Sequence, residues 1–225
     1  MIRSRIGEIN SVTVVRVLCI VVVVILVLYP LFWLVFGSFQ KSLTGDGGLT
    51  FDAYINVFGS NFFGDVVYNT AVMVVGTTVL SVLFGVPMAW IVARTDTPYR
   101  TLLNLTALVP FITPPMVGAF AWSYLGSPNS GFINVFWSFM TGSPDPLFDI
   151  YTQGGLILVM SLYLAPYVFL FTSIALENMD PTLENAAYMA GANPIKTTFR
   201  ITIPLAMPAI LSGALLVFIQ AIGSF

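Results

Sequence analysis

The chain contains no histidine and a single cysteine, Cys19, and only 8% of its residues are charged. Without histidine there is no Ser/His or Cys/His nucleophile pair, no His-ligated haem and no histidine proton relay. One cysteine excludes an intramolecular disulfide. No GxxxxGK[ST] phosphate loop is present, so the chain binds no nucleotide through that device. Charge near 8% stands far below the quarter typical of soluble domains, while 57% of residues are hydrophobic. No cofactor, metal or nucleic-acid partner is expected.

Charge is absent over five long runs: Val17–Gln40, Val66–Ala93, Thr101–Pro144, Ile150–Leu176 and Ile201–Phe225. About 20 apolar residues, rising 1.5 Å each as a helix, cross a hydrocarbon core of roughly 30 Å. Each run therefore supports one span, and none alternates every second residue as a membrane barrel strand would. The fold expected is an all-α polytopic membrane bundle with five spans. The spans lie at about Val17–Phe39, Val66–Ala93, Leu102–Leu125, Gly155–Leu176 and from Pro204 or Pro208 to the end. The first run exceeds a secretory signal core and no small-x-small cleavage site follows, which predicts a retained signal anchor.

Arg3, Arg5, Arg16, Arg94, Arg100, Lys196 and Arg200 fall on one side of this arrangement, and only Lys41 falls on the other. The positive-inside rule then places the N-terminus in the cytoplasm. The organisation expected is an N-terminal tail and first span (1–40), an outer loop (41–65) containing Thr44-Gly45-Asp46-Gly47-Gly48, and a core transmembrane domain (66–225). The outer loop between spans three and four carries turn signals around an apolar stretch, FINVFWSFM, expected as an interfacial helix. Phe225 ends the chain inside an apolar run without polar flanks, an expectation of a partial unit that continues into at least a sixth span.

Between the last two runs stands a polar island, Glu177–Arg200, with five of the 18 charged side chains. Asp180-Pro181 is a helix start, a carboxylate cap followed by proline at the first helical position. Leu183, Ala186, Ala187 and Ala190 form a small apolar face, and Gly191 suits a left-handed cap. Asn193-Pro194 repeats the start signal for a second helix ending at Arg200, and Pro204 marks re-entry into the membrane. Two short helices with an alanine face permit close approach to another protein; a loop folded back on its own bundle is the plainer alternative.

Three prolines interrupt the third span: Pro110, Pro114 and Pro115. Mid-membrane prolines strand backbone carbonyls, which is tolerable where neighbours or cavity water satisfy them. With Asn69, Thr70 and Tyr163 they are the candidate translocation-path residues, against simple kinks and interhelical hydrogen bonds. Thr77, Thr78 and Pro166 share that ambiguity.

The stretch LENAAYMAGANPIKTTFRITIPLAMP resembles the Glu-Ala-Ala loop of permease subunits of binding-protein-dependent ABC importers. Ala186, Ala187, Gly191, Ile203 and Pro204 match its spacing, with Ala192 beside the glycine. Asn185 stands where the motif glutamate falls, and Glu184 precedes it by one residue. VYNTAVMVVGTTVLSVLFGVPMAWIVARTDTPYR and PFITPPMVGAFAW are similar to iron(III)-type permeases, often two fused copies of such a unit. The resemblance implies an inner-membrane transport subunit, not an enzyme. Its implied partners are a dimeric cytoplasmic ATPase docked on the loop, an extracytoplasmic substrate-binding protein, a second permease half and the bilayer. Alternating access is the implied mechanism and iron(III) the implied substrate, with polyamine or phosphonate as alternatives. A channel or ion-coupled carrier is the competing class; it commonly places charge within its spans, and every charged residue here lies at a span end or in a loop.

The charge asymmetry predicts the sidedness of labelling. Cysteines introduced at Asn129 or Ser143 are expected to react with an impermeant thiol reagent in intact cells, and one at Asn193 only after permeabilisation. Reaction at Asn193 in intact cells contradicts this orientation.

Overall fold

The computed structural model describes residues 11–40 and 48–224. Arg3, Arg5, Lys41, most of the glycine-rich turn and Phe225 lie outside the described residues. Among the described residues the regular structure is helical, apart from an isolated antiparallel bridge, Gln40 to Leu49. Two compact units are present, Met1–Val66 and Val67–Phe225.

In the first unit, α1 (Ser11–Ser38) runs unbroken through Pro30. Its aromatic side chains Tyr29, Phe32, Trp33 and Phe36 pack edge-on or stacked along one end. A short helix, α2 (Asp52–Phe58), follows. Phe39 and Tyr54 pack against each other in this unit, and the Ser38 hydroxyl lies 2.7 Å from that of Tyr54.

The helix α3 (Asn61–Arg94) begins before the expected span boundary at Val66 and crosses the division between the units. The third span is broken. Helix α4 (Arg100–Ile112) and α5 (Pro115–Gly126) meet at 104°. A residue before proline is pushed out of the helical region, and Thr113 (ψ 122°) and Pro114 (ψ 135°) are both extended. Pro115 then opens α5 at a position that needs no donor. Among the described residues four unbroken helices are long and apolar enough to span a membrane, five if the bent pair is counted as one span.

The interfacial helix appears as α6 (Phe132–Thr141), ended by a left-handed Gly142. Its buried Asn134 fastens the whole outer loop. Asn134 Nδ2 donates to the carbonyls of Ser127 (2.9 Å) and Phe148 (2.6 Å), and Oδ1 accepts from the Phe148 amide at 3.0 Å.

Helix α7 (Gln153–Asn178) is the centre of the second unit. The island after it forms α8 (Thr182–Met189) and α9 (Pro194–Thr197). A π turn (Thr198–Thr202) then leads directly into α10 (Ile203–Ile222). Helix α10 thus starts beside Pro204 as expected, but continuously with the turn before it, and one helical rod runs over Pro194–Ile222. Proline clashes with the carbonyl four residues back and supplies no donor. Here the turn ahead of it widens instead, with the Ile203 amide donating five residues back to Thr198.

Between membrane helices the lipid is as apolar as the side chains, so close backbone approach replaces the hydrophobic drive. Val168 of α7 is fully buried between two glycines. A β-carbon on Gly85 of α3 would stand 2.8 Å from Val168 Cβ and 2.9 Å from the Ala165 carbonyl; one on Gly213 of α10 would stand 2.9 Å from Val168 Cα. A hydrogen bond adds to the α3–α7 contact, from the Ser81 hydroxyl to the Ser161 carbonyl at 3.0 Å. Thr78 instead donates to Val74 of its own helix.

The obstructing atoms at these glycines are backbone or branched carbon, which cannot swing aside. Gly85→Val and Gly213→Val are each expected to destabilise the bundle by about 1–3 kcal/mol, read as a lower Tm of the detergent-purified protein. An unchanged Tm for both contradicts this packing.

Candidate functional site

The island owes its shape to three local devices. Asp180 Oδ1 accepts from the Thr182 amide at 2.9 Å, and Pro181 already has helical angles. That amide, helped by the Thr182 side chain, holds the Asp180 carboxyl below its usual value. The cap is therefore present at neutral pH and is lost as pH falls through the lowered pKa. Gly191 ends the helix at φ 82°. Its amide donates to Tyr188 at 2.9 Å and that of Ala192 to Ala187 at 3.0 Å, the paired bonds of a Schellman cap. Asn193 Oδ1 then accepts from the Lys196 amide at 2.7 Å, starting α9.

The rotational setting of α8 divides the alanine face. Glu184 and Ala187 are turned inward and partly covered, while Asn185 and Ala186 are exposed and Met189 is 90% exposed. Helix α8 has no buried residue, and nothing among the described residues buries its outer side. Ala192 is half-buried, and Gly191 and Pro204 are exposed.

Glu184 reaches the bundle. Its Oε1 accepts from the Thr202 hydroxyl at 2.6 Å and lies 3.4 Å from Arg94 Nε. The Arg94 contact is an ion pair without hydrogen-bond alignment. Arg94 Nη2 donates to the Met179 carbonyl, the residue capping α7, at 3.2 Å. A second ion pair, Arg100 to Glu177 at 2.8 Å, is about half exposed, where solvent and salt weaken it.

A cavity of about 550 Å³ opens at the bend of the third span. Pro110, Pro115 and Tyr163 line it together with Phe111, Trp122, Tyr167 and Gln220. Pro114 is exposed and does not line it; Asn69 and Thr70 also lie apart from it. The Tyr163 hydroxyl donates to the Thr113 carbonyl at 2.6 Å, satisfying an acceptor freed by the break. Gln220 Nε2 donates to the Tyr167 hydroxyl at 3.1 Å, and the Tyr167 ring meets Phe111 edge-on at 4.6 Å. The lining mixes aromatic and aliphatic side chains with a few hydroxyls and the Gln220 amide, and carries no charged side chain.

Sequence reasoning did not single out Arg94, Trp122, Tyr167 or Gln220 for these places. A signal existed for two of them: Tyr163 and Tyr167 are one helical turn apart, and Gln220 is the lone amide within the last apolar run. A different groove, of about 590 Å³, lies among α3, α7 and the α9–α10 rod. Its polar groups are limited to the hydroxyls of Thr172, Thr198 and Thr202 and the Trp90 indole, which makes it a poor path for a hydrated solute.

Residues 81–225 match the family described as binding-protein-dependent transport system inner membrane component. The spermidine/putrescine transport system permease protein PotB of Haemophilus influenzae is 30% identical over 190 residues, covering 81% of this chain and 65% of the relative. PotB of Escherichia coli K12 is 29% identical, covering 78% of this chain and 63% of the relative. The chain thus spans slightly less than two thirds of these relatives' length. A probable sulfate transport system permease protein, cysT of Marchantia polymorpha, is 29% identical over 66% of this chain and 49% of its own. The fold matches a chain of a bacterial alginate ABC transporter solved with an alginate pentasaccharide-bound periplasmic protein. That match has a TM-score of 0.71 at 21% identity, over 89% of this chain and 69% of that one.

These relatives carry polyamine or sulfate in their names, so the likeness to iron(III)-type permeases narrows to the broader family and iron is left without support. The profile match takes in the bent third span, α7, the capped island and the α9–α10 rod. By that match the chain belongs to the binding-protein-dependent transport system inner membrane component family.

Proposed function

We propose that this chain is a permease subunit of an ABC importer, with the Glu177–Arg200 island as its coupling loop. The observation that carries the reading is the outer side of α8, where Asn185, Ala186 and Met189 are exposed on a helix capped at both ends. An exposed apolar surface on a rigid element marks a contact site. The partner is a dimeric cytoplasmic ATPase, which supplies the hydrolysis; this chain supplies a conformational change and no chemistry of its own. A second permease half completes the pathway, and an extracytoplasmic binding protein delivers the solute. ATPase closure favours one of two bundle packings through its different contact with the loop, and the cavity alternates between the two sides.

The solute best supported is a polyamine. An oxyanion such as sulfate calls for basic or multiple N–H donors. The cavity at the bent span offers instead the faces of Phe111, Trp122, Tyr163 and Tyr167, with hydroxyl and amide oxygens beside them. Such rings attract ammonium groups at roughly 0.5–2 kcal/mol each. The absence of a lining carboxylate suits passage, since a solute held too tightly is not released. In cells carrying the intact transporter, ATP-dependent uptake of spermidine is expected, unaffected by excess sulfate. Sulfate uptake without spermidine uptake contradicts this assignment.

The coupling role is tested at positions that cannot disturb the bundle. Ala186→Glu adds volume and charge to the docking side and is expected to reduce ATPase co-purification about tenfold or more. At Gly191 a β-carbon would meet nothing within 4 Å, so any effect is backbone strain alone. Gly191→Val should lose ATPase, at a strain of about 1–2 kcal/mol, while Gly191→Asn, which tolerates that conformation, should retain it. Undiminished complex and transport in Ala186→Glu would reduce the island to a mere connecting loop.

A further inference from the structure

We propose that Glu184 is a positioning residue, an internal strut that makes the coupling loop move with the membrane helices. This rests on the reading of the island as the ATPase-docking element.

The carboxylate stands one residue before the position where the family's loop glutamate falls, and the displacement has a geometric consequence. On α8 the motif position, Asn185, is exposed, whereas Glu184 is turned toward the bundle. Its side chain is 12% exposed and that of Arg94 is 11%. Four segments meet at this pair: the last turn of α3 through Arg94, the cap of α7 through the Met179 carbonyl, α8 itself, and the π turn through Thr202. The cation also sits at the C-terminal end of α3, where the helix dipole favours it.

Burial decides the importance of this node. The half-exposed Arg100–Glu177 pair is screened and yields readily. The Arg94–Glu184 pair lies where the local dielectric is low and an unpartnered charge is strongly disfavoured. Helix α8 has no buried residue of its own, so without this node it is held mainly by its connections to α7 and α9. A partner displacing such a helix would flex the loop and leave the bundle behind. With the node intact, displacement of α8 is transmitted to α3, α7 and the α9–α10 rod together. Thr202 closes the widened turn, so its donation to Glu184 also fixes the one non-α segment of that rod.

The test uses the intact transporter with its ATPase and binding protein in proteoliposomes, comparing Glu184→Gln with an Arg94→Met/Glu184→Met double variant. The double variant leaves no unpaired charge, so it reports on coupling even if the single one folds poorly. Both are expected to keep ATPase in the complex and to keep basal ATP hydrolysis. Solute imported per ATP hydrolysed should fall about fivefold to tenfold in each. A pair that only stabilises the fold predicts recovery of coupling in the double variant, and that recovery overturns the strut. So does loss of ATPase from Glu184→Gln, which would put the carboxylate in the docking contact. A wild-type preparation that holds no ATPase overturns the docking reading and the strut with it; ATPase retained with unchanged coupling in both variants overturns the strut alone.

Discussion

The packing of α7 against α3 and α10 through single glycines is the constraint on which the second unit depends. Lipid solvates an isolated apolar helix as well as a neighbouring helix does, so association needs close contact and satisfied polar groups. Gly85 and Gly213 let two backbones reach Val168 from opposite sides, and Ser81 adds a hydrogen bond to Ser161. The cavity lies between α7, the end of α10 and the bend of the third span, and the Glu177–Arg200 island is the connection from α7 to α10. A change in that packing therefore reaches both places.

The two ends of the bundle use polar groups differently. At the bend, the carbonyl of Thr113 that proline geometry frees is taken by Tyr163, and the neighbouring rings remain uncharged. That arrangement gives a solute weak, replaceable contacts. At the loop end, charge is buried and shared among several segments around Glu184 and Arg94. That arrangement gives stiffness. On the proposed reading as an ATPase-powered importer both are needed: a path that releases its solute, and a lever that does not bend.

Much of this was legible in the sequence because it rests on local rules. Long uncharged runs announce membrane helices; Asp180, Gly191 and Asn193 announce caps, and each makes the bonds its type implies. Pro114-Pro115 announces a break, though not its angle of 104°. Other features depend on distance or rotation and left no such trace. Arg94 and Glu184 are separated by 90 positions of chain, and nothing local pairs them. Apolar spacing groups Ala186 with Ala187, but with Glu184 bonded to the bundle the helix leaves Ala186 exposed and Ala187 partly covered. Pro204 reads as a helix start, and α10 does begin beside it, but the sequence did not show that a π turn joins it to the helix before. Asn69 and Thr70 read as path residues by polarity, and they are not among the residues that line the cavity.

The central claim is that this bundle moves its solute by coupling to an ATPase and not by an ion gradient. The most direct measurement is spermidine uptake into proteoliposomes holding the intact permease, binding protein and ATPase, with ATP and with imposed proton or sodium gradients in turn. The account predicts uptake that requires ATP, stops when the ATPase is inactivated, and is indifferent to either gradient. Uptake driven by a gradient in vesicles lacking the ATPase would contradict it.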